Sequence, residues 1–252
     1  YSLILLSLFC PYIIHCMNKG LKKLVLKIFG ESTIGFLEFF LRPKLKSGQG
    51  KPFNGQAFRQ KIFLELTRSF PFQAIVETGT YMGSTAEFMH STARLPIYTV
   101  EVNPRFFGYA KARFLGNRDI HLSLGDSRKI LNEFAARKFL SGKQLFFYLD
   151  AHWYNELPLA EELRTIFLHW PDAVVMIDDF QVPDDSGYGF DDYGEGKKLS
   201  PDYLPKINGA DLAKFFPSAG SASETGAKRG CVVLALSAEN AEKLRSLQCL
   251  RG

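Results

Sequence analysis

The feature that most constrains the fold is a regular alternation between residues 73 and 180. "QAIVET" (73–78), "IYTVEV" (97–102), "IHLSLGD" (120–126), "QLFFYLDA" (144–151) and "AVVMIDDF" (173–180) are short runs of β-branched and aromatic residues. Between them stand "STAEFMHSTAR", "PRFFGYAKARFLG", "RKILNEFAARKFL" and "LPLAEELRTIFLHW", whose apolar residues recur at helical spacing. Strands that are apolar throughout, each followed by a helix, form a mostly parallel sheet covered on both faces. The expected architecture is α/β and doubly wound. With 46% hydrophobic and 23% charged residues, the chain has enough apolar surface for a large core.

The pattern stops after Phe180. "QVPDDSGYGFDDYGEGKK" has no hydrophobic period and is expected to be a long loop, with a lid over a substrate as its functional reading. "DYLPKINGADLAKFF" (202–216) is expected to be helical, "CVVLAL" (231–236) a late strand and "SAENAEKLRSL" (237–247) a terminal helix. Upstream, "AFRQKIFLELTRSF" (57–70) reads as a helix with Phe58, Ile62, Phe63 and Leu66 inward, and residues 17–41 as one or two amphipathic helices.

In open α/β sheets ligands bind beyond the C-terminal strand ends. Each of the five strands delivers polar groups there. These are Glu77 with the turn Gly79-Thr80-Tyr81-Met82-Gly83-Ser84; Glu101; Asp126 with Ser127; Asp150 with His152; and Asp178 with Asp179. Gly79 and Gly83 permit a tight turn and close approach of a ligand to backbone. Their Gly-x-x-x-Gly spacing is not the dinucleotide fingerprint, and Glu77 would repel a pyrophosphate while suiting an ammonium. Glu101 lies where a carboxylate binds ribose hydroxyls, and Asp126 with Ser127 where an adenine edge can be read. A ligand with adenine, ribose and an amino-acid end but no phosphate satisfies this set, and S-adenosylmethionine is such a ligand. The expected cofactor residues are Glu77, Gly79, Thr80, Gly83, Ser84, Glu101, Asp126 and Ser127.

"AIVETGTYMGSTAEF", "YTVEV", "LGDS", "FFYLDAHW" and "VVMIDDF" together resemble a class I S-adenosylmethionine-dependent methyltransferase over residues 53–180, and "RGCVVLAL" is similar to the antiparallel end of that fold. The resemblance implies a Rossmann-like, seven-stranded sheet. The carboxylates resemble those of metal-dependent O-methyltransferases of the catechol and macrolide-sugar types, which implies Asp150, Asp178 and Asp179 as ligands of a divalent cation. Three carboxylates suit a hard cation such as Mg²⁺. It would lower the pKa of the hydroxyl to be methylated. His152, with Asp150, is then the expected catalytic group, taking the proton. Tyr188 and Tyr193 are expected to line the acceptor pocket. The sequence "LDAHW" departs from the usual fourth-strand sequence of those enzymes.

The expected function is O-methylation of a small hydroxylated acceptor. Two alternatives are an NAD-type oxidoreductase on the same fold and a non-catalytic cofactor-binding module. Net charge is +5, concentrated in the first seventy residues (Lys19, Lys22, Lys23, Lys27, Arg42, Lys44, Lys46, Lys51), which reads as a basic surface on an N-terminal segment and not as a nucleic-acid-binding protein. The expected organisation is an apolar extension at 1–16, a basic helical segment at 17–52 and the methyltransferase domain at 53–252. The run "YSLILLSLFCPYIIHC" is short for a membrane span and interrupted by Pro11, so any membrane contact is expected only through this N-terminal part. Four Cys without metal or CxxC spacing fit a reducing compartment, and a cytoplasmic, oligomerisation-competent protein is the expectation.

Overall fold

The computed structural model describes residues 19–42, 45, 51–152 and 157–252, with side chains from residue 30 onward. The expected extension 1–16 therefore lies outside the described residues, as does part of the basic segment. The elements run in chain order α1 (Lys19–Leu41), α2 (Ala57–Ser69), β1 (Ala74–Thr78), α3 (Ser84–Ala93), β2 (Ile97–Glu101), α4 (Pro104–Arg113), β3 (Ile120–Leu124), α5 (Ser127–Ala136), β4 (Leu145–Leu149), α6 (Leu159–His169), β5 (Val174–Asp178), β6 (Ala213–Pro217), β7 (Cys231–Ala235), α7 (Ala238–Arg245) and β8 (Leu250–Arg251).

One sheet holds all eight strands in the order β3-β2-β1-β4-β5-β7-β6-β8. The first five are parallel, as the β-α alternation requires, and β7, β6 and β8 add antiparallel partners. Two expectations are corrected. The sheet has eight strands, not seven, and residues 202–216 are not a helix: a single 3-10 turn at Pro201–Tyr203 precedes loop, and "AKFFP" forms β6. Pro205 and Gly209 break any helical run there, and Phe215 and Phe216 go to opposite faces of the sheet, as a period of two demands.

That alternation divides the core. Ile75, Ile97, Phe146, Tyr148, Val174, Met176 and Val233 pack under α2, α3 and α7, whereas Val76, Phe147, Leu149, Val175, Ile177 and Val232 pack under α5 and α6. The inward stripe of α2 is Arg59, Ile62, Phe63 and Leu66; Phe58 is only partly buried. An arginine on this apolar face has a partner at the sheet edge, described below.

Helix α1 breaks at Gly30 (φ 71°) and its second half lies on α4. Its inward residues are Ile34, Gly35 and Glu38, while Phe40 is exposed. The contact depends on two glycines facing opposite backbones. A Cβ on Gly35 would stand 1.8 Å from the Arg105 carbonyl oxygen, and one on Gly108 would stand 1.8 Å from that of Ser32. Glu38 then accepts from Arg105 at 2.8 and 2.5 Å and from Arg42 at 3.0 Å. Gly35→Ala or Gly108→Ala must push the helices apart, and a loss of about 1–3 kcal/mol is expected, read by urea denaturation. An unchanged midpoint would show that this helix contact adds nothing to stability.

Candidate active site

The C-terminal ends of β1, β2, β4 and β5 form a cleft with two halves. The first half is the turn after β1. Gly79 adopts φ +87°, and a Cβ there would meet the Asp150 carbonyl oxygen at 2.2 Å, so this position admits only glycine without a backbone shift. Gly83 (φ +79°) caps α3 with no side-chain hydrogen bond to the first N–H groups of that helix, from Ser84 on. Thr80 shares a short hydrogen bond with Thr99, 2.5 Å between hydroxyl oxygens.

Glu77 and Thr99 are register partners on neighbouring strands, and the Thr99 hydroxyl donates to Glu77 Oε2 at 2.5 Å. Glu77 Oε1 is buried with no protein partner. Burial pushes this carboxyl up to about 8, with the charge of Glu101 adding to the rise. An unpaired buried carboxylate oxygen costs stability unless a ligand donates to it. Glu101, 6% exposed, accepts from the backbone N–H of Tyr81 at 2.6 Å and of Asn103 at 2.7 Å, which locks the turn to the end of β2. Burial raises its pKa too, against those hydrogen bonds.

Asp126 and Ser127, at the end of β3, both have protein partners. The Asp126 carboxylate caps α5 through the Arg128 N–H at 2.9 Å and pairs with the Arg128 guanidinium at 2.6 Å, which lowers its pKa. Ser127 is buried and its hydroxyl engages Glu162, a carboxyl on α6 that the sequence reading missed. Burial lifts the Glu162 carboxyl to about 7. Next to Glu101 in the chain and in the sheet are two exposed apolar side chains, Val102 (70%) after β2 and Leu124 (46%), the register partner of Glu101 at the end of β3.

The second half of the cleft concerns the two adjacent aspartates. Asp178 extends the face of Val174 and Met176, so its side chain points beneath α2 and is fully buried. There it forms an ion pair with Arg59 and accepts from Tyr148 Oη at 2.5 Å and Asn54 Nδ2 at 3.2 Å. Its Oδ1 also accepts the Asp179 N–H at 2.7 Å. Asp179 leaves the strand in a left-handed conformation (φ 52°) and turns its carboxylate into the cleft, where Arg229 Nε donates to Oδ1 at 2.8 Å. The adjacent charges thus face different arginines. "FNGQ" (53–56) straps both arrangements together: besides the Asn54 contact, Gln56 exchanges hydrogen bonds with the backbone of Arg229 at 2.7 and 2.8 Å.

The group that does converge is Asp150, His152 and Asp179, each offering one ligand atom within 4.8 Å of the others. Asp178, expected in this set, is not in it, and His152 stands in its place. His152 is 4% exposed and its Nε2 has no hydrogen-bond partner among the described residues; it lies 3.9 Å from both Asp150 Oδ1 and Asp191 Oδ2. Burial lowers its pKa, keeping the ring neutral, and burial with the Asp179 charge raises that of Asp150.

Asp191 comes from the loop after β5, which folds back over the cleft. Its N–H donates to the Asp179 carbonyl at 2.9 Å, its carboxylate pairs with Arg229, and the single Tyr193 Oη proton is shared between that carboxylate and the His152 carbonyl, 3.0 Å away. Tyr193 therefore stands at the cleft. Tyr188 does not: it is buried in the core, donating to the Ala219 carbonyl at 3.0 Å. Arg229 and Asp191 sit in turn-rich sequence with no period, so only the apolar-face position of Arg59 could have signalled the charge pairing.

No protein-family model matches the chain, and no curated protein matches it. Solved structures do. An O-methyltransferase from Bacillus cereus, in complex with S-adenosylhomocysteine, superposes with a TM-score of 0.54 at 13% identity, over 89% of this chain and all of the other. O-methyltransferase TomG from Streptomyces achromogenes, solved with S-adenosylmethionine, gives 0.51 at 17% identity over 88% and 91%. An S-adenosylhomocysteine-bound methyltransferase from Podospora anserina gives 0.50 at 13% identity over 88% and 97%. The chain shares their fold. The Rossmann-like architecture expected from the sequence is thereby established across nearly the whole described chain. Among the described residues no helix is long and apolar enough to cross a membrane.

Proposed function

We propose that the protein is an S-adenosylmethionine-dependent methyltransferase that methylates a hydroxyl group of a small acceptor. The observation that carries this reading is the pair of buried carboxylates at adjacent strand ends, Glu77 with an unpartnered oxygen and Glu101 fixed by two backbone N–H groups. Glu77 Oε1 fits the ammonium of the amino-acid end of the cofactor. Glu101 retains lone pairs for ribose hydroxyls. Gly79, Thr80, Gly83 and Ser84 form the turn against which the amino-acid end would lie. Val102 and Leu124 offer apolar contact to the faces of an adenine, with Asp126 and Ser127 at its edge.

When bound, S-adenosylmethionine supplies the electrophilic methyl group. The chain positions an acceptor oxygen in line with it, excludes water beneath the loop carrying Asp191 and Tyr193, and accepts the hydroxyl proton at the cluster of Asp150, His152 and Asp179. A divalent cation fits this cluster chemically; its contribution would be to lower the pKa of the acceptor hydroxyl. An NAD-type reading is disfavoured because Glu77 stands where a pyrophosphate would have to lie.

Asp191→Ala tests the role of the loop. It removes one of the partners of Arg229 and of Tyr193 and is expected to reduce transfer to a hydroxylated acceptor about 10–100-fold while leaving S-adenosylhomocysteine affinity unchanged. The comparison needs single-turnover transfer and a binding titration on the same protein. Equal transfer rates in the two proteins would remove the loop from the acceptor site.

A further inference from the structure

The cation site implied by the resemblance consists of oxygen donors alone, Asp150, Asp178 and Asp179. That set does not exist in this chain. Asp178 points to the opposite side of the strand end and is satisfied by Arg59, Tyr148, Asn54 and a backbone N–H. The group that fills the third position is an imidazole. His152 is almost fully buried, its Nε2 has no partner among the described residues, and that atom faces carboxylates on two sides. A buried ring nitrogen without a hydrogen bond is costly, and it is not relieved by any described neighbour.

Charge balance gives the second reason. Arg59 is matched by Asp178. Among the described residues Arg229 alone pairs with Asp179 and Asp191, and Asp150 lies close by in no ion pair with a Lys or Arg, so carboxylates outnumber guanidiniums there. Arg229 binds Asp179 through Oδ1, which leaves the second oxygen of that carboxylate to a further positive charge. A cation seated there would relieve this repulsion and could take the imidazole nitrogen together with the carboxylate oxygens.

We infer that Asp150, His152 and Asp179 form a mixed nitrogen–oxygen site for a divalent transition metal of the Mn²⁺, Fe²⁺, Co²⁺ or Zn²⁺ class, and not for Mg²⁺. Mg²⁺ is held by oxygen ligands and gives up its water reluctantly, whereas imidazole suits the later metals. His152 Nε2 is the selecting ligand. The inference deepens the methyltransferase reading and rests on it for the role of the metal, not for its binding. A ring nitrogen committed to a metal takes no proton, so on this assignment the hydroxyl proton goes to a carboxylate of the cluster and not to His152, whose expected base role is replaced.

The test uses the full chain stripped with chelator and titrated with CoCl₂, ZnCl₂, MnCl₂ and MgCl₂. Calorimetry and the visible absorption of bound Co²⁺ are the readouts, with S-adenosylhomocysteine binding as a separate measurement on the same samples. One equivalent of Co²⁺ or Zn²⁺ is expected to bind about 100-fold more tightly than Mg²⁺. His152→Gln is expected to weaken Co²⁺ by at least about tenfold, since even an outer partner of a ligand is worth that much. His152→Cys provides a positive signature that survives a small loss of stability: a thiolate at position 152 adds a sulfur-to-cobalt charge-transfer band only if that residue is a ligand. Mg²⁺ binding as tightly as Co²⁺, absence of any metal binding, or a cobalt spectrum indifferent to both substitutions would overturn the proposal. S-adenosylhomocysteine binding to protein without metal affinity would sink this inference and leave the methyltransferase reading. A cobalt site in protein that binds no S-adenosylhomocysteine would do the reverse.

Discussion

Arg59→Met is expected to destabilise the protein by about 3–5 kcal/mol, because it leaves Asp178 as an uncompensated charge in the core. For a chain of this size that corresponds to a fall in Tm of roughly 6–20 °C. Asp178 is fully buried under α2 and also accepts from Tyr148 and Asn54, so its carboxylate has no route to water when the guanidinium is removed. Asp178→Asn is expected to cost a comparable amount, as it strands Arg59. The double variant Arg59→Met, Asp178→Asn is expected to cost less than the sum of the two, since it removes both charges together. Denaturant titration of the four proteins measures this coupling. Additive losses would mean that the pair does not act as a unit, and a negligible loss in Asp178→Asn would return that residue to the cleft.

The second large effect is on pH. Glu77 has its carboxyl raised to about 8 in the ligand-free protein. Below that pH it is mostly protonated, yet an ammonium ligand demands the carboxylate. Binding of S-adenosylhomocysteine must therefore expel a proton, and affinity is expected to fall about tenfold per pH unit below 8, on the order of 100-fold between pH 8 and pH 6. At pH 7 the binding enthalpy should vary with the ionisation enthalpy of the buffer. Glu77→Gln should bind more weakly and show neither dependence. The free protein shows the opposite trend. Glu77 and Glu162 (about 7) both have folded values above the ordinary carboxyl value, so their contribution to stability is full below about 4.5 and is lost as pH rises through 7 and 8. A pH-independent affinity in the wild type would show that Glu77 does not meet the ammonium.

Much of this architecture is legible in the sequence, because parallel strands buried on both faces leave an unmistakable apolar run and the helices between them keep their period. The strand-end rule then selects Glu77, Glu101 and Asp150 without any structure. The reading fails where local pattern does not decide direction. "LAKFFP" looks like the end of an amphipathic helix until Pro205 and Gly209 are counted, and only pairing with β7 makes it a strand. Asp178 and Asp179 look equivalent in sequence, but a period of two sends the first under α2, and a left-handed residue turns the second into the cleft. The partners that decide their roles, Arg59 and Arg229, are 119 and 50 residues away from them respectively. One signal was available: an arginine at position 59 lies on the same helical stripe as Ile62, Phe63 and Leu66, and a charge there demands a buried counter-charge. Glu162 and Asp191 gave no such signal, as their importance follows only from where α6 and the returning loop dock.

Calorimetric titration of the protein with S-adenosylhomocysteine at pH 8, beside Glu101→Ala, tests the central claim most directly. The proposed methyltransferase function predicts one-to-one binding with a Kd on the order of micromolar, weakened by at least about tenfold when the Glu101 carboxylate that fixes the turn is removed. Absence of binding heat at pH 8, with or without divalent metal, in protein that takes up NADH instead, would contradict the methyltransferase reading.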